Sequence, residues 1–124
     1  MKDSVVVLNK NRSENAELCA ILADANYIPQ PLFVYGDLEL ILSATEILAV
    51  FIDTDSISLE NRSIRSLNTK FPQVSLLLTS VRKSHPELKE AIGQYVYAII
   101  SKPFDAEEVI YWLKCILADK PKPV

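Results

Sequence analysis

Five short and mostly apolar runs set the pattern of the chain. They are residues 5–8, 27–34, 47–52, 74–78 and 96–100. A short apolar run bounded by polar residues is typical of a strand that is buried on both faces of a sheet. The run 47–52 is apolar throughout and is followed by Asp53. The pattern therefore predicts five strands, with the third strand in the middle of the sheet.

The second run differs from the others because it contains two prolines, Pro29 and Pro31. Proline has no backbone N–H and cannot donate to a strand ladder. Within a sheet it is confined mainly to edge strands. We therefore expect residues 27–34 to form an irregular strand at one edge of the sheet.

The segment after the first strand predicts a helix. Asn11 is suited to cap its start, with Glu14 three residues later in the capping-box position. Four apolar residues then follow on one helical face: Leu18, Ile21, Leu22 and Ala25. Asn26 is predicted to end the helix, because asparagine tolerates the left-handed conformation found there.

The next two helices are predicted from weaker signals. Gly36 and Asp37 precede a short apolar pattern, so a short helix is expected to open there. Ser58 is a candidate cap for the third helix, and Pro72 would close it. Three apolar residues have the spacing of one face in that third helix: Ile64, Leu67 and Phe71.

Capping signals also mark the last two helices. The sequence of Ser84–Glu87 has the form of a capping box, and Gly93 is the expected end of that helix. Asp105, with Glu108 three residues later, is predicted to start a final helix that ends near Ala118. The inward face of this final helix is predicted to comprise Val109, Trp112, Leu113 and Ile116.

Five strands that alternate with five helices predict a doubly wound α/β fold. Parallel neighbours need a crossover connection, so the sheet should be mainly parallel and covered by helices on both faces. We expect residues 1–118 to form one domain, and residues 119–124, which include two prolines, to start a linker or tail. In such folds, ligands bind beyond the carboxyl ends of the strands.

Composition excludes several classes of function. The chain has 124 residues, 49% of them hydrophobic and 23% charged, with a net charge of -3. This acidic balance predicts no direct binding to nucleic acid. No apolar run approaches the roughly 20 residues that a membrane span needs, and no signal peptide is evident, so a cytoplasmic protein is expected. Two glycines are too few for a phosphate-binding loop, and the two cysteines, Cys19 and Cys115, are expected to be reduced core residues.

Polar residues follow four of the predicted strands and should meet at one edge of the sheet. They are Asn9 and Lys10, Asp53 and Asp55, Thr79 and Ser80, and Lys102. With Phe51–Asp53, Leu77–Ser80 and Lys102–Phe104, the chain resembles the response-regulator receiver (CheY-like) family over nearly its whole length. The resemblance implies a flavodoxin-like five-stranded sheet of order 2-1-3-4-5.

The resemblance also implies roles for three residues. Asp53 matches the aspartate that accepts a phosphoryl group in the family, Thr79 matches the hydroxyl residue that contacts this group, and Lys102 matches the lysine that pairs with it. The family places an acidic pair after the first strand to bind Mg²⁺, and here Asn9 and Lys10 stand at those positions. The expected metal ligands are therefore missing.

Lys10 changes the expected chemistry of this pocket. An ammonium offers only hydrogen-bond donors, and two unit charges about 4 Å apart interact by roughly 4 kcal/mol at an effective dielectric constant near 20. We therefore expect Lys10 to pair with Asp53, with Lys102 as a second partner, and to leave no place for a metal or cofactor. The alternative is an ordinary solvated Lys10 that points away from Asp53.

These observations favour a pseudo-receiver, a signalling domain that binds proteins and is not an enzyme. Its expected partner is a kinase, an output domain or a second copy. The alternative is an orthodox receiver in a phosphorelay, with Asp53 phosphorylated by a histidine kinase and Mg²⁺ held with help from Asp55. A third hypothesis is a small flavin-binding enzyme of the same architecture, which predicts a yellow protein.

Switching and partner binding give further candidate residues. The family commonly carries an aromatic residue three positions before the lysine, where this chain has Ile99. Tyr97 lies two residues earlier and is expected on the same face, because side chains alternate along a strand. Tyr95, Tyr97 and Tyr111 are predicted to lie on a face formed by the fourth helix, fifth strand and fifth helix, which is our candidate partner or dimer surface.

Simpler interpretations stay open for single residues. Asp53 and Asp55 alone are also typical of turns, and Thr79 and Ser80 can simply end a strand. The segment Lys102–Phe104 alone is also typical of a strand-to-helix turn. His85, the only histidine, has no partner that would suggest zinc or a catalytic triad and is expected at the surface.

Overall fold

The computed structural model describes residues 2–119. Its strands are β1 (Ser4–Leu8), β2 (Ile28–Leu32), β3 (Ala49–Asp53), β4 (Ser75–Ser80) and β5 (Val96–Ser101). Its helices are α1 (Arg12–Asp24), α2 (Leu38–Ala44), α3 (Asn61–Lys70), α4 (Lys89–Tyr95) and α5 (Ala106–Asp119). The strands form one parallel sheet of order β2-β1-β3-β4-β5, which confirms the predicted fold.

The position of each strand follows from its side chains. Every residue of β3 is buried, and this strand lies between β1 and β4 in the middle of the sheet, as predicted. The proline-containing β2 lies at an edge and pairs only with β1. The backbone N–H of Ile28 donates to Asp3 O on the β1 side. Since alternate residues of a parallel strand face opposite neighbours, Pro29 and Pro31 face the outer edge.

The sheet separates two hydrophobic clusters. On one face, Val50 and Ile52 of β3 pack with residues of α2, α3 and α4. On the other face, Ala49 and Phe51 pack with residues of α1 and α5, including Leu113. The alternation of β3 side chains between the clusters is that of a strand covered on both faces.

Several predicted helix ends are confirmed. The Asn11 side chain accepts a 3.0 Å hydrogen bond from the Glu14 N–H and caps α1. Asn26 has a φ of 73°, the left-handed conformation expected after this helix. At the start of α5, the Asp105 carboxylate accepts a 2.9 Å bond from the Glu107 N–H.

The predicted starts of α3 and α4 are wrong. Ser58 does not cap α3, which begins at Asn61 after a turn that returns Ile57 to the core, where it is 3% exposed. The Ser84–Glu87 capping box does not form, because a 3₁₀ turn at Pro86–Leu88 precedes α4. The side chain of Asn61, in α3, caps the start of α4 instead, because its Oδ1 accepts a 3.0 Å hydrogen bond from the Ala91 N–H.

Two further local expectations fail in the same region. Gly93 does not end α4, which continues to Tyr95. His85 is not at the surface, since it is only 5% exposed. Its Nδ1 lies 3.1 Å from the Arg82 guanidinium, which is always a donor, so Nδ1 is the acceptor.

A β-bulge at the start of β5 changes the direction of Tyr97. Val96 lies opposite Leu76 and Ala98 lies opposite Leu77, so Tyr97 is the extra residue. Tyr97 and Ala98 therefore both pack towards α1 and α5, whereas Ile99 packs in the other cluster. The prediction that Tyr97 and Ile99 share a face is wrong, because a bulge interrupts the alternation.

The predicted boundary between domain and tail lies at the end of the described residues. Helix α5 extends to Asp119, and residues 120–124 of the predicted linker lie outside the described part. The linker stays a prediction. Cys19 and Cys115 are free and half-buried. No helix within residues 2–119 has the length and apolar character needed to cross a bilayer.

Candidate functional site

The carboxyl ends of the inner strands bring the candidate residues together. Asp53 ends β3 and lies opposite Thr79 of β4 in the strand register. Lys102 directly follows β5, and its backbone N–H donates to Ser80 O at 3.2 Å. Both side chains on the central strands are buried, with Asp53 and Thr79 each 1% exposed. The parallel register therefore places one buried carboxylate and one buried hydroxyl side by side.

The ammonium of Lys102 lies among three carboxylates. Its Nζ is 2.6 Å from Asp53 Oδ1, 2.7 Å from Glu14 Oε1 and 3.0 Å from Asp55 Oδ2. A lysine ammonium has three protons to donate, so each carboxylate can accept one. The Lys102 side chain is only 9% exposed. We call this group of Lys102, Glu14, Asp53 and Asp55 the lysine cage.

Asp53 uses its two oxygens differently. Its Oδ1 accepts bonds from Lys102 and, at 3.0 Å, from the Thr79 hydroxyl. Its Oδ2 is buried and has no hydrogen-bond partner within the described residues. A buried carboxylate oxygen without a donor is energetically costly, so it marks a place where a further donor would be stabilised.

Asp55 ties the end of β3 to the loop after β4. Its carboxylate accepts 2.9 Å hydrogen bonds from the Ser80 hydroxyl and the Val81 N–H. Burial alone would raise the pKa of Asp55, but the bonds from Lys102, Val81 and Ser80 outweigh it and hold the pKa below its usual value. Asp55 is therefore a charged member of the site and not only a turn residue.

Glu14 belongs to the site although the sequence suggested only a helix cap. The Asn11 N–H donates to Asn9 Oδ1, so the Glu14 carboxylate is not needed for a reciprocal capping box. It instead accepts bonds from Lys102 and, at 3.0 Å, from Asn9 Nδ2. These two bonds lower the pKa of Glu14. The only sequence feature that could have predicted this role is the position of Glu14 in the first turn of α1, next to the carboxyl ends of the strands.

Lys10 does not have the expected position. It is exposed, and its ammonium forms no ion pair in the part of the chain that the structure describes. The expected pair with Asp53 is therefore wrong, and the alternative of a solvated Lys10 matches the structure. The backbone of Lys10 follows a buried Asn9, whose Oδ1 is held by the Asn11 N–H and the Ser56 hydroxyl. This local anchoring fixes the loop and leaves the lysine side chain outside.

Lys102 supplies the cation that Lys10 was expected to supply. Burial opposes its charge, but the hydrogen bonds to Asp53, Glu14 and Asp55 dominate and raise the pKa of Lys102 above its usual value. The ammonium therefore stays charged throughout the physiological range.

The residues present do not fit the Mg²⁺ ion that the family resemblance implies. Mg²⁺ requires oxygen ligands at about 2.0–2.1 Å in octahedral geometry. The Lys102 ammonium instead lies between the carboxylates, and the loop after β1 offers an amide at Asn9 and an outward cation at Lys10. Within residues 2–119, no group of three or more acidic, histidine or cysteine side chains is placed to hold a metal ion.

The lysine cage opens into a cleft of about 580 Å³. Its walls include Asp53, Asp55 and Lys102, together with Val81 and Arg82 from the loop after β4. A second cleft of about 280 Å³ shares Glu14, Val81 and Lys102 with the first and continues past Glu17 to Phe104. Solvent and other molecules can therefore reach the carboxyl ends of the strands.

The three tyrosines of the candidate interface do not form one surface. Tyr95 packs with the cluster under α2, α3 and α4, whereas Tyr97 packs with the cluster under α1 and α5. Trp112 contacts the rings of Tyr97 and Tyr111 edge-on, with centroid distances of 6.1 and 5.2 Å. Tyr111 is 59% exposed. The hydroxyl of Tyr97 donates to the Asp119 carboxylate, which raises the pKa of Tyr97 to about 12.

Solved structures with the same fold include response regulators and a pilus assembly-related protein. A response regulator from Thermotoga maritima is 17% identical, with a TM-score of 0.81, and the alignment covers 96% of this chain and 100% of that one. A CheY-like receiver domain protein from Methanospirillum hungatei JF-1 is 12% identical, with a TM-score of 0.84 and 96% coverage of both chains. A Burkholderia pseudomallei K96243 protein described as pilus assembly-related is 18% identical, with a TM-score of 0.82 and coverage of 97% and 92%.

Sequence comparison alone adds nothing to this similarity. No family model and no curated protein matches the chain. The structural matches extend over nearly the whole chain at identities below 20%, so they establish the fold.

Proposed function

We propose that this chain, which has the fold of response-regulator receiver domains, is a pseudo-receiver that signals by binding proteins. It is not an enzyme in this proposal, and it uses neither a metal nor a cofactor. The observation that carries the proposal is the lysine cage, in which Lys102 binds Asp53, Glu14 and Asp55. Because the family keeps this lysine together with its metal, the feature that sets the chain apart is the replacement of the acidic pair by Asn9 and Lys10, which leaves Lys102 as the cation of the cleft.

The position of the Lys102 ammonium supports this proposal. Phosphoryl transfer relies on cations that neutralise the moving group and align the attack. A divalent ion about 4 Å from Lys102 would be repelled by roughly 4 kcal/mol for each of its charges at an effective dielectric constant near 20. Displacing Lys102 would in turn leave the buried Asp53 without its closest cation. Each of the three carboxylates attracts a cation by a comparable energy, so the obstacle to Mg²⁺ is the position of the Lys102 ammonium among the oxygens that would be its ligands, and not the net charge of the site.

A specific observation favours the alternative, an orthodox receiver phosphorylated on Asp53. The Asp53 Oδ2 atom lacks a partner, while Oδ1 is held by the Thr79 hydroxyl and by Lys102. Asp53 lines an open cleft and has one oxygen that no donor of the described residues occupies, as an acceptor of a phosphoryl group requires. The two functions differ in whether Asp53 is modified.

Intact-mass measurement separates these functions. The protein is incubated with acetyl phosphate and Mg²⁺ and then weighed, alongside Asp53→Asn and a control, Asp24→Asn, at an exposed position on the far end of α1. The pseudo-receiver function predicts no gain of a phosphoryl group in any of them. A gain in the natural chain and in the Asp24 variant, absent from the Asp53 variant, would establish the orthodox function instead.

The proposed partner is a kinase, an output domain or a second copy of the chain. Its proposed contact surface is the part of β5 and α5 around the partly buried Tyr97 and the exposed Tyr111, because tyrosines are enriched at interfaces. Sedimentation of a Tyr97→Ala, Tyr111→Ala variant tests self-association, and capture of a purified kinase or output domain tests the other partners. Unchanged self-association and capture would remove this surface from the proposal.

A further inference from the structure

We infer that the cleft beside Asp53 receives a positively charged side chain from a protein partner. This inference rests on the proposed protein-binding function and adds the chemistry of the partner. The occupant is the guanidinium or ammonium group of a basic segment, with its aliphatic stem lying along the cleft wall.

The first observation is the charge of the lysine cage. Three carboxylates, those of Glu14, Asp53 and Asp55, share the single ammonium of Lys102. The nearest other cation in the cleft wall, Arg82, forms its own ion pair with Glu87. The cage therefore keeps about two uncompensated negative charges in a partly buried site, where the effective dielectric constant is lower than in water.

The second observation is independent of that charge count. Asp53 lines the cleft and is only 1% exposed. Its Oδ2 is buried and has no hydrogen-bond partner within residues 2–119. Leaving a buried acceptor unpaired costs free energy that a donor entering the cleft would recover. Hydrogen bonds from a charged donor to a carboxylate are the strong ones.

The third observation is the shape of the cleft. Val81 is 68% exposed at the junction of the two connected clefts, and the second cleft continues past Pro103 and Phe104. Lysine and arginine side chains bury their aliphatic stems on apolar surface while the charged end makes polar contacts. Glu17, which is exposed in the wall of the second cleft, provides a further negative charge for a neighbouring basic residue.

The same geometry favours a side chain over a metal ion. A metal ion needs its ligands to converge on one point, and here the three carboxylate oxygens converge on the Lys102 ammonium, which already occupies that point. A guanidinium has five donors spread over a planar group and can reach acceptors that lie apart.

An NMR titration with a defined probe tests this inference. The probe is the capped peptide acetyl-Arg-Ala-Arg-amide, and its matched control carries citrulline, a neutral residue of the same shape, in place of both arginines. We expect the arginine peptide alone to shift the backbone amides of Thr54, Ser56 and Arg82. Asp53→Asn should weaken binding by at least about tenfold, whereas Asp24→Asn should change it by less than about twofold.

A second variant and a metal titration make each outcome decisive. Asp55→Asn should weaken binding in the same direction and serves if Asp53→Asn does not fold. Equal shifts with the citrulline peptide, no shift with either peptide, or equal losses in the Asp24 and Asp53 variants would overturn the inference. Mg²⁺ that shifts the same amides at low millimolar concentration would overturn both the inference and the metal-independent function. If only the peptide experiment fails, the inference is wrong, and the proposed function is still tested separately by the mass measurement.

Discussion

Lys102 and Glu14 are joined by a 2.7 Å ion pair although they lie 88 residues apart in the chain. This contact links the end of β5 to the first turn of α1, two elements that flank the carboxyl ends of β1, β3 and β4. Because the same ammonium also contacts Asp53 and Asp55, one side chain connects three segments, which are the start of α1, the end of β3 and the residues that follow β5. The stability of this end of the fold should therefore depend strongly on a single lysine.

Replacing Lys102 with methionine should lower the free energy of unfolding by about 3 kcal/mol or more. The substitution keeps an unbranched side chain as far as the ε carbon, removes the ammonium and leaves the buried Asp53 without its cation. The matched control is Lys70→Met, because Lys70 pairs with Glu39 at the surface with both side chains at least half exposed. That variant should lose no more than about 1 kcal/mol. Urea unfolding measures both, and equal losses would contradict the importance of the lysine cage.

Stability should fall as the solution becomes acidic, because the pKa values of Glu14 and Asp55 are lowered in the folded protein. A carboxyl group whose folded pKa lies below its unfolded value, about 4.3 for Glu and 3.9 for Asp, stabilises the fold above that unfolded value. This contribution is lost as the pH falls through the folded pKa. The contribution of Lys102 to stability depends on pH in the opposite direction, because the pKa of Lys102 is raised in the folded protein. The charged ammonium stabilises the fold below about pH 10, and this contribution is lost only at higher pH.

The measurement for this pH dependence is the urea midpoint between about pH 7 and pH 3. The urea midpoint should fall less steeply with decreasing pH in Glu14→Gln than in the natural chain, because that variant no longer carries one of the titrating groups. A Glu17→Gln control, at an exposed position on the same helix, should keep the natural slope. Identical slopes in all three proteins would show that Glu14 does not contribute.

Replacing Asn15 with alanine should cost about 2–3 kcal/mol of unfolding free energy. Asn15 is 1% exposed, and its Nδ2 lies 3.0–3.1 Å from the carbonyl oxygens of Val7, Asn9 and Leu32. The variant leaves these carbonyl groups without that donor at the ends of two strands. Urea unfolding with Glu17→Ala as the control, expected within about 0.5 kcal/mol of the natural chain, tests this. A similar small effect for Asn15→Ala would show that water replaces the amide without cost.

Tyr97 should titrate at a higher pH than a free phenol. The carboxylate of Asp119 accepts the hydrogen bond of the Tyr97 hydroxyl and raises the pKa of Tyr97 to about 12. In Asp119→Asn the negative charge is removed, so the pKa of Tyr97 should return towards its ordinary value of about 10. Ultraviolet titration of the phenolate band, with Tyr97→Phe to assign the signal, measures the change. An unchanged titration curve in Asp119→Asn would contradict this hydrogen bond.

The sequence pattern was sufficient to locate the strands and to identify one edge of the sheet. Short apolar runs identify the strands, and Pro29 and Pro31 identify the edge strand β2. The resemblance to receivers added the order of the strands, which the structure confirms. These features depend on local composition, so they can be predicted without knowledge of tertiary contacts.

The direction of single side chains depends on tertiary contacts that the sequence does not contain. Lys10 was expected in the pocket by analogy with a position in the family, but buried Asn9 anchors the loop and leaves Lys10 outside. Glu14 was interpreted as a local cap, because its partner Lys102 is distant in sequence. Tyr97 was assigned to the wrong face, since a bulge has no signal in an alternating apolar strand.

The two edges of the sheet limit how copies of this chain can associate. At β2, the residues whose backbone faces outwards include Pro29 and Pro31, which have no N–H to offer an incoming strand. At β5, the bulge at Tyr97 interrupts the regular ladder at the start of the strand. Extension of the sheet into a continuous intermolecular sheet is therefore disfavoured on both sides. Self-association of this domain should use its helical faces, which protects it against fibrillar aggregation.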